Sequence, residues 1–166
     1  MQQSQILNGD FMRILGIICV FFSSALLCAA PLTPKMKADL IEKAASAEKL
    51  AYQPYSHYSV GAALLTKSGK IFTGCNVENA SYGLTICAER TAVFKAISEG
   101  EKDIEAIVVV TKDGGMPCGA CRQVLNEFNP KMIVIATDEQ GQVHFEKALS
   151  YLLTNAFGPA NLEETR

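Results

Sequence analysis

Apolar residues recur at helical spacing in several stretches of the chain. The first such stretch predicts an amphipathic helix with Thr33 as its N-cap, Pro34 in the first helical position and an end at about Tyr52. Later stretches predict two longer helices and a short one, at Cys87–Glu99, Cys118–Phe128 and Glu146–Leu153. The predicted helices are therefore spread along the chain and are separated by other elements.

Alternating or continuous apolar runs predict five strands between these helices. They are His57–Leu65, Ile71–Cys75, Ile104–Thr111, Met132–Thr137 and Gln142–Phe145. The turn Lys67–Lys70 joins the first two strands into a hairpin. Because helices separate the later, more apolar strands, the order predicts an α/β fold in three α-β-α layers, with a mixed five-stranded sheet.

Residues 1–31 differ from the rest of the chain. Residues 14–30 are mostly apolar, follow Arg13 and end on small residues, which is typical of a secretory signal and slightly short for a membrane span. The cleavage site fits badly, because Pro31 would follow the cut. A targeting segment and a non-native extension, with Met36 as a working start, both stay open. We expect one domain over residues 32–166.

The charge pattern argues against a nucleic-acid partner. The net charge is −2 at pH 7, and the sequence contains no cluster of lysine and arginine residues. Proteins that bind a phosphate backbone need such a basic surface. We therefore expect a small-molecule substrate rather than a polynucleotide.

Three cysteines carry the strongest chemical signal. Cys118 and Cys121 form a C-x-x-C pair that can reach one metal ion, and Cys87, which opens the preceding helix, supplies a third thiolate. Zn²⁺ prefers thiolates in tetrahedral geometry, and a catalytic zinc has three protein ligands and one open position. Cys75 lies outside both segments. The pattern predicts a catalytic zinc site.

The residues beside these cysteines suggest how such a site would work. Glu89 follows Cys87 by two positions, where a carboxylate can move a proton next to a water that the metal activates. Two helix N-termini would stabilise the thiolates. Arg90 and Arg122 are expected to hydrogen-bond the sulfur atoms.

Several segments together resemble the small, homotetrameric type of cytidine deaminase, from about Lys35 to Leu162. They are Tyr55–Leu64 (YSHYSVGAAL), Gly74–Ala80 (GCNVENA), Cys87–Ala92 (CAERTA), Pro117–Gln123 (PCGACRQ) and Phe157–Pro159 (FGP). Zinc deaminases combine a His or Cys ligand, a nearby Glu and a P-C-x-x-C motif. This resemblance implies one Zn²⁺ per subunit and hydrolytic deamination of cytidine and deoxycytidine in pyrimidine salvage.

The resemblance also implies roles for individual residues. Glu89 would protonate N3 of the cytosine ring and help the amine to leave. Asn76 and Glu78 would hold the ribose hydroxyls, while the Ala88 and Cys118 backbones contact the base. Tyr58 occupies a position that is commonly Phe and stacks on the pyrimidine, so its added hydroxyl needs a partner. Alternatively, Tyr58 is simply a residue of the strand core.

The same resemblance implies a role for the C-terminal segment and a location in the cell. Phe157 would enter the active site of a neighbouring subunit in a homotetramer with shared active sites, or would pack on its own domain. The family implies a cytosolic protein and no membrane contact for the core domain. A secreted or membrane-tethered protein, held through residues 14–30, is the alternative.

Other functions stay open at this point. The zinc chemistry also suits a deaminase of another amino-pyrimidine nucleoside or of polynucleotide cytosine. A non-catalytic zinc-binding or secreted interaction protein is a further alternative, against which Glu89 argues.

Overall fold

The structure is a computed structural model and describes residues 32–163. The predicted N-terminal extension, residues 1–31, lies outside the described residues. The helices are α1 Pro34–Glu48, α2 Ala88–Ser98, α3 Gly119–Phe128, α4 Leu149–Leu152 and α5 Ala160–Glu163, with a 3₁₀ turn at Tyr82–Leu84. The strands are β1 Val60–Thr66, β2 Ile71–Cys75, β3 Ile104–Thr111, β4 Ile133–Thr137 and β5 Val143–Ala148.

The five strands form one mixed sheet in the order β2-β1-β3-β4-β5. Strands β3 and β4 run parallel, because α3 connects them, and every other neighbouring pair is antiparallel. The sheet confirms the predicted fold class, an α/β fold with a mixed five-stranded sheet.

The two faces of the sheet are covered by different helices. On one face α1 packs Leu40 and Ala44 against the sheet, next to Val108. On the other face the apolar sides of α2, α3 and α4 pack over residues such as Ile107 and Val109. This burial of both faces explains why β3 and β4 are continuous apolar runs. Within residues 32–163, no helix combines the length and apolar character that crossing a membrane requires.

Two predicted boundaries near the first helix are wrong. Helix α1 ends at Glu48 and not near Tyr52, because Tyr52 instead forms a parallel bridge with Val77. Strand β1 begins at Val60 and not at His57, whose φ of 54° is incompatible with an extended strand. The predicted N-cap is confirmed, since the Thr33 hydroxyl accepts a hydrogen bond from the Met36 amide at 3.2 Å.

The end of the chain also differs from the prediction. Strand β5 continues to Ala148, because its residues pair with β4 in register, Glu146 opposite Ile135. The predicted helix Glu146–Leu153 is therefore reduced to the single turn α4. Helix α5 was not predicted. The secondary structure of this region therefore depends more on pairing with a neighbouring strand than on the local sequence.

Candidate active site

The three predicted zinc ligands come together where α2 and α3 begin. Cys87 is the N-cap of α2, Cys118 is the N-cap of α3, and Cys121 lies in the first turn of α3. The Sγ atoms of Cys87 and Cys118 are 3.9 Å apart, and those of Cys118 and Cys121 are 3.6 Å apart. All three sulfur atoms lie within 4.8 Å of one another.

This spacing fits a tetrahedral zinc ion. Ligand atoms that each lie about 2.3 Å from a tetrahedral zinc are separated from one another by about 3.8 Å. The two measured sulfur distances of 3.9 and 3.6 Å lie on either side of that value. The donor set, three thiols at two helix N-termini, also suits zinc, because the helix dipoles favour thiolates.

The pKa values of Cys87 and Cys121 are shifted in opposite directions. A hydrogen bond from Cys121, supported by the guanidinium of Arg90, lowers the pKa of Cys87 to about 5 even though Cys87 is half-buried. The same hydrogen bond, together with burial, raises the pKa of Cys121.

The two arginines of the motifs have different partners. Arg90 lies as predicted, with its Nη2 3.5 Å from the Sγ of Cys87 and 3.2 Å from the carbonyl oxygen of Thr85. The expectation that Arg122 also hydrogen-bonds a sulfur atom is wrong. Its guanidinium donates to the carbonyl oxygens of Pro117, at 2.8 Å, and Leu152, at 3.1 Å. The Leu152 carbonyl is a long-range partner that the fold produces, and it has no local sequence signal.

Glu89 lies in the first turn of α2 and is only 4% exposed. Burial raises its pKa above the usual range of a glutamate. The close packing of α2 on β2 keeps this turn in place. A Cβ on Gly74 would lie 2.5 Å from the carbonyl oxygen of Ala88 and 2.5 Å from the amide of Ala92, so only glycine permits this approach.

A cavity of about 320 Å³ opens beside the sulfur atoms and Glu89. Its lining combines polar and apolar side chains from both halves of the sequence. The lining residues are Ser56, Tyr58, Val60, Asn76, Glu78, Thr85, Cys87, Glu89, Val109, Thr111, Gly115, Met116 and Cys118. No lysine or arginine belongs to this set, and two of its members are carboxylates.

Both predicted ribose contacts, Asn76 and Glu78, line this cavity. The side chain of Asn76 accepts from the amide of Val60 and donates to the carbonyl oxygen of Tyr58, both at 2.9 Å. The Oε2 atom of Glu78 accepts from the amides of Tyr55, at 2.9 Å, and Ser56, at 3.2 Å. Hydrogen bonds from Ser56 and Tyr55 lower the pKa of Glu78, so it is ionised at neutral pH.

The other predicted substrate contacts are placed less uniformly. Tyr58 lines the cavity, and its hydroxyl has the partner that it requires, because it donates to Asp113. Ala88 is fully buried at the start of α2 and does not line the cavity. Phe157 is 61% exposed, and its carbonyl oxygen accepts from Gln123, at 2.8 Å, and Asn126, at 3.3 Å. Its ring lies outside the cavity lining.

Several cavity residues were missed from the sequence. Ser56, Thr85, Gly115 and Met116 lie in the loops that precede β1, α2 and α3, and Thr111 is the last residue of β3. The signal that pointed toward them was the glycine-rich loop Lys112–Met116, which leads directly into Cys118. No periodicity marks such residues, because loops bring them to the cavity singly.

Fold and site together define an α/β protein with three clustered thiols, a donor set that suits zinc, beside a buried glutamate. The family model for the cytidine and deoxycytidylate deaminase zinc-binding region matches residues 34–137. The chain belongs to this family of deaminases. The predicted family and enzyme class are thereby confirmed, since the chain is 51% identical over 128 residues to the cytidine deaminase of Halalkalibacterium halodurans. That match covers 75% of this chain and 96% of the relative.

Two further comparisons bear on the family. The crystal structure of cytidine deaminase from Burkholderia pseudomallei is 50% identical, with a TM-score of 0.69, and covers 72% of this chain and 98% of that one. A protein named blasticidin-S deaminase, from Bacillus cereus, is 32% identical over 107 residues, which cover 58% of this chain and 76% of that protein. The chain is therefore similar to proteins named for two different substrates, cytidine and blasticidin S.

Proposed function

We propose that this protein catalyses the hydrolytic deamination of cytidine and deoxycytidine to uridine and deoxyuridine, with release of ammonia, in pyrimidine salvage. The observation that carries the proposal is a cluster of three cysteine sulfur atoms at tetrahedral spacing, because two of these cysteines line the same cavity as the buried Glu89. Relatives named cytidine deaminase, which cover most of this chain, support the same substrate.

Cys87, Cys118 and Cys121 would hold one zinc ion per subunit. The ion, when bound, would supply a water activated for attack on C4 of the cytosine. Glu89 lies beside this position and is shielded from solvent, so it would take the proton of the attacking water, carry it to N3 and then assist the departure of the amine. Arg90 would hold Cys87 in place through its hydrogen bond to the sulfur atom.

The cavity favours a nucleoside over a nucleotide. A phosphate group would need cationic partners, and the cavity lining contains no lysine or arginine, whereas Glu78 is ionised there. Asn76 and Glu78 would bind the ribose hydroxyls, because an amide and a carboxylate can together serve a diol. The backbone of Cys118, which lines the cavity, would contact the base at the start of α3, whereas the fully buried Ala88 would need to become accessible to do so at the start of α2.

We include in this proposal a homotetramer with shared active sites. Its support is a set of exposed aromatic side chains near the cavity. Tyr55 and Tyr82 are 46% and 76% exposed, and their ring centroids lie 5.9 Å apart. An exposed apolar group of this kind commonly marks a protein interface. Phe157, also largely exposed, would enter the cavity of a neighbouring subunit. A cytosolic location completes the proposal.

The test is a substrate panel with the full chain. Purified protein is loaded with zinc, its metal content is measured, and the loss of ultraviolet absorbance is followed with cytidine, deoxycytidine, deoxycytidylate and blasticidin S. We expect turnover of the two nucleosides and at least about a hundredfold lower kcat/KM for deoxycytidylate, since its phosphate finds no cation. If the zinc-loaded protein turned over only blasticidin S, the proposed substrate would be wrong, although the family assignment would hold.

A further inference from the structure

A chain of hydrogen bonds ties the aromatic wall of the cavity to the loop that follows β3. The hydroxyl of Tyr58 donates to the Oδ1 atom of Asp113, 55 positions later in the sequence. The hydroxyl of Thr111 donates to the same oxygen atom at 3.1 Å and accepts from the amide of Gly115 at 2.6 Å. One carboxylate oxygen therefore binds two hydroxyl groups, which both belong to cavity-lining residues.

The surroundings of the Tyr58 hydroxyl leave little room for another arrangement. A Cβ on Gly115 would lie 2.8 Å from that hydroxyl oxygen, so a larger residue there would displace the ring. The ammonium group of Lys112 lies 5.3 Å from the ring centroid, within the range of a cation–π contact. Three residues of one short loop thus contact Tyr58.

The protonation states of the two partners agree with this geometry. Burial, followed by the hydrogen bond to Asp113, raises the pKa of Tyr58. The hydrogen bond from Tyr58 lowers the pKa of Asp113. At neutral pH the phenol therefore donates and the carboxylate accepts, and hydrogen bonds to an ionised partner are the stronger ones.

We propose that Asp113 is a positioning residue that fixes the ring of Tyr58 as one wall of the substrate cavity and thereby sets the affinity for pyrimidine nucleosides. The inference rests on the proposed function, because the fixed ring is argued to face the base. A ring that is already held in one rotamer loses no conformational entropy when a flat base binds. We therefore expect the fixed ring to increase the affinity for the substrate. Asp113 itself lies outside the cavity lining and acts through Tyr58.

The experiment is a double-mutant cycle in steady-state kinetics with cytidine. We expect Asp113→Ala to raise KM about tenfold, as loss of one charged hydrogen bond predicts, with kcat within about threefold of wild type. In the background of Tyr58→Phe, which removes the hydroxyl, Asp113→Ala should change KM by less than about twofold, because the two substitutions break the same contact. Equal effects of Asp113→Ala in both backgrounds would overturn the inference.

Two further variants separate positioning from general damage. Asp113→Asn keeps an acceptor oxygen, and its KM should lie between those of wild type and Asp113→Ala. Asp103→Ala is the matched control, because Asp103 is an exposed aspartate at the opposite end of β3 and should leave KM unchanged. A rise in KM with Asp103→Ala as large as with Asp113→Ala would also contradict the inference.

Calorimetric binding of uridine to the zinc-loaded proteins repeats the cycle without a chemical step. The dissociation constants should show the same pattern as KM. If the wild type turns over cytidine but the effects of Asp113→Ala and Tyr58→Phe on binding are additive, the role of Asp113 is wrong and the proposed function still holds. Absence of both turnover and uridine binding in the wild type would overturn both.

Discussion

The two helix starts at the metal site share a sequence pattern and differ in what surrounds them. Both α2 and α3 have a cysteine N-cap followed by an arginine within about one turn. At α2, Arg90 contacts the Cys87 sulfur atom and Glu89 is buried beside the cavity. At α3, Arg122 binds two backbone carbonyl groups, one of them Leu152 in α4. The start of α2 therefore holds the proposed catalytic carboxylate and a thiol in contact with arginine, whereas the start of α3 is tied through Arg122 to the C-terminal segment.

The largest effect is expected at the α2 start, from Glu89→Gln. This variant keeps the size and burial of the side chain and removes the proton-carrying carboxylate. We expect full zinc content and a kcat lower by at least about 10³-fold, within the range for lost general acid–base catalysis. Glu127→Gln is the control, because Glu127 is exposed on α3 and should keep wild-type kcat. Near-normal turnover by Glu89→Gln would remove Glu89 from the mechanism.

The second prediction concerns the metal itself. Cys87→Ala removes one of the three proposed zinc ligands, so the purified protein should contain less than about a tenth of the wild-type zinc. Cys75→Ala serves as the comparison, since Cys75 only donates a weak hydrogen bond to the carbonyl oxygen of Leu50 at 3.4 Å. Atomic absorption on both proteins measures the difference. Equal zinc in the two variants would refute the ligand set.

A third prediction separates the two arginines at the metal. Arg90→Gln should weaken zinc binding by about 10- to 100-fold, as is usual when a partner of a metal ligand is removed. Arg122→Gln should leave zinc affinity unchanged within about threefold, because its partners are carbonyl oxygens and not sulfur atoms. Competition with a chromogenic chelator gives both affinities. Similar losses in the two variants would show that the helix starts are equivalent.

The smallest effect is expected on stability, again at α3. Arg122→Gln leaves two carbonyl groups without their charged donor, so the free energy of unfolding should fall by about 1–3 kcal/mol. Urea unfolding of the zinc-loaded protein measures this change. Lys131→Gln is an exposed control near the same helix and should be neutral. Unchanged unfolding of Arg122→Gln would mean that α4 is not held through this side chain.

The sequence predicted those parts of the molecule that depend on local patterns. Strands β2 and β3, the N-cap of α1 and the cysteine starts of α2 and α3 agree with the structure, because apolar runs and capping residues act over a few positions. The sequence also identified the three cysteines that cluster in the structure, since a C-x-x-C pair and a nearby C-x-E segment are recognisable without a fold.

The features that the sequence did not predict depend on contacts between positions that are far apart in the chain. The end of α1 depends on the bridge between Tyr52 and Val77, and the extent of β5 depends on its pairing with β4. The partner of Arg122 in α4 and the contact between Tyr58 and Asp113 likewise join segments that are 30 and 55 positions apart. Such contacts leave no periodic or local trace in a single sequence.

The most direct test of the central claim is to remove the metal and restore it while cytidine turnover is recorded. The full-length protein is stripped with a chelator and then titrated with zinc. We predict that turnover falls below about 1% of the initial rate and returns in proportion to added zinc up to about one equivalent per subunit. Undiminished deamination by the zinc-free protein would contradict a role of zinc in this reaction. So would zinc binding that reaches saturation without any recovery of turnover.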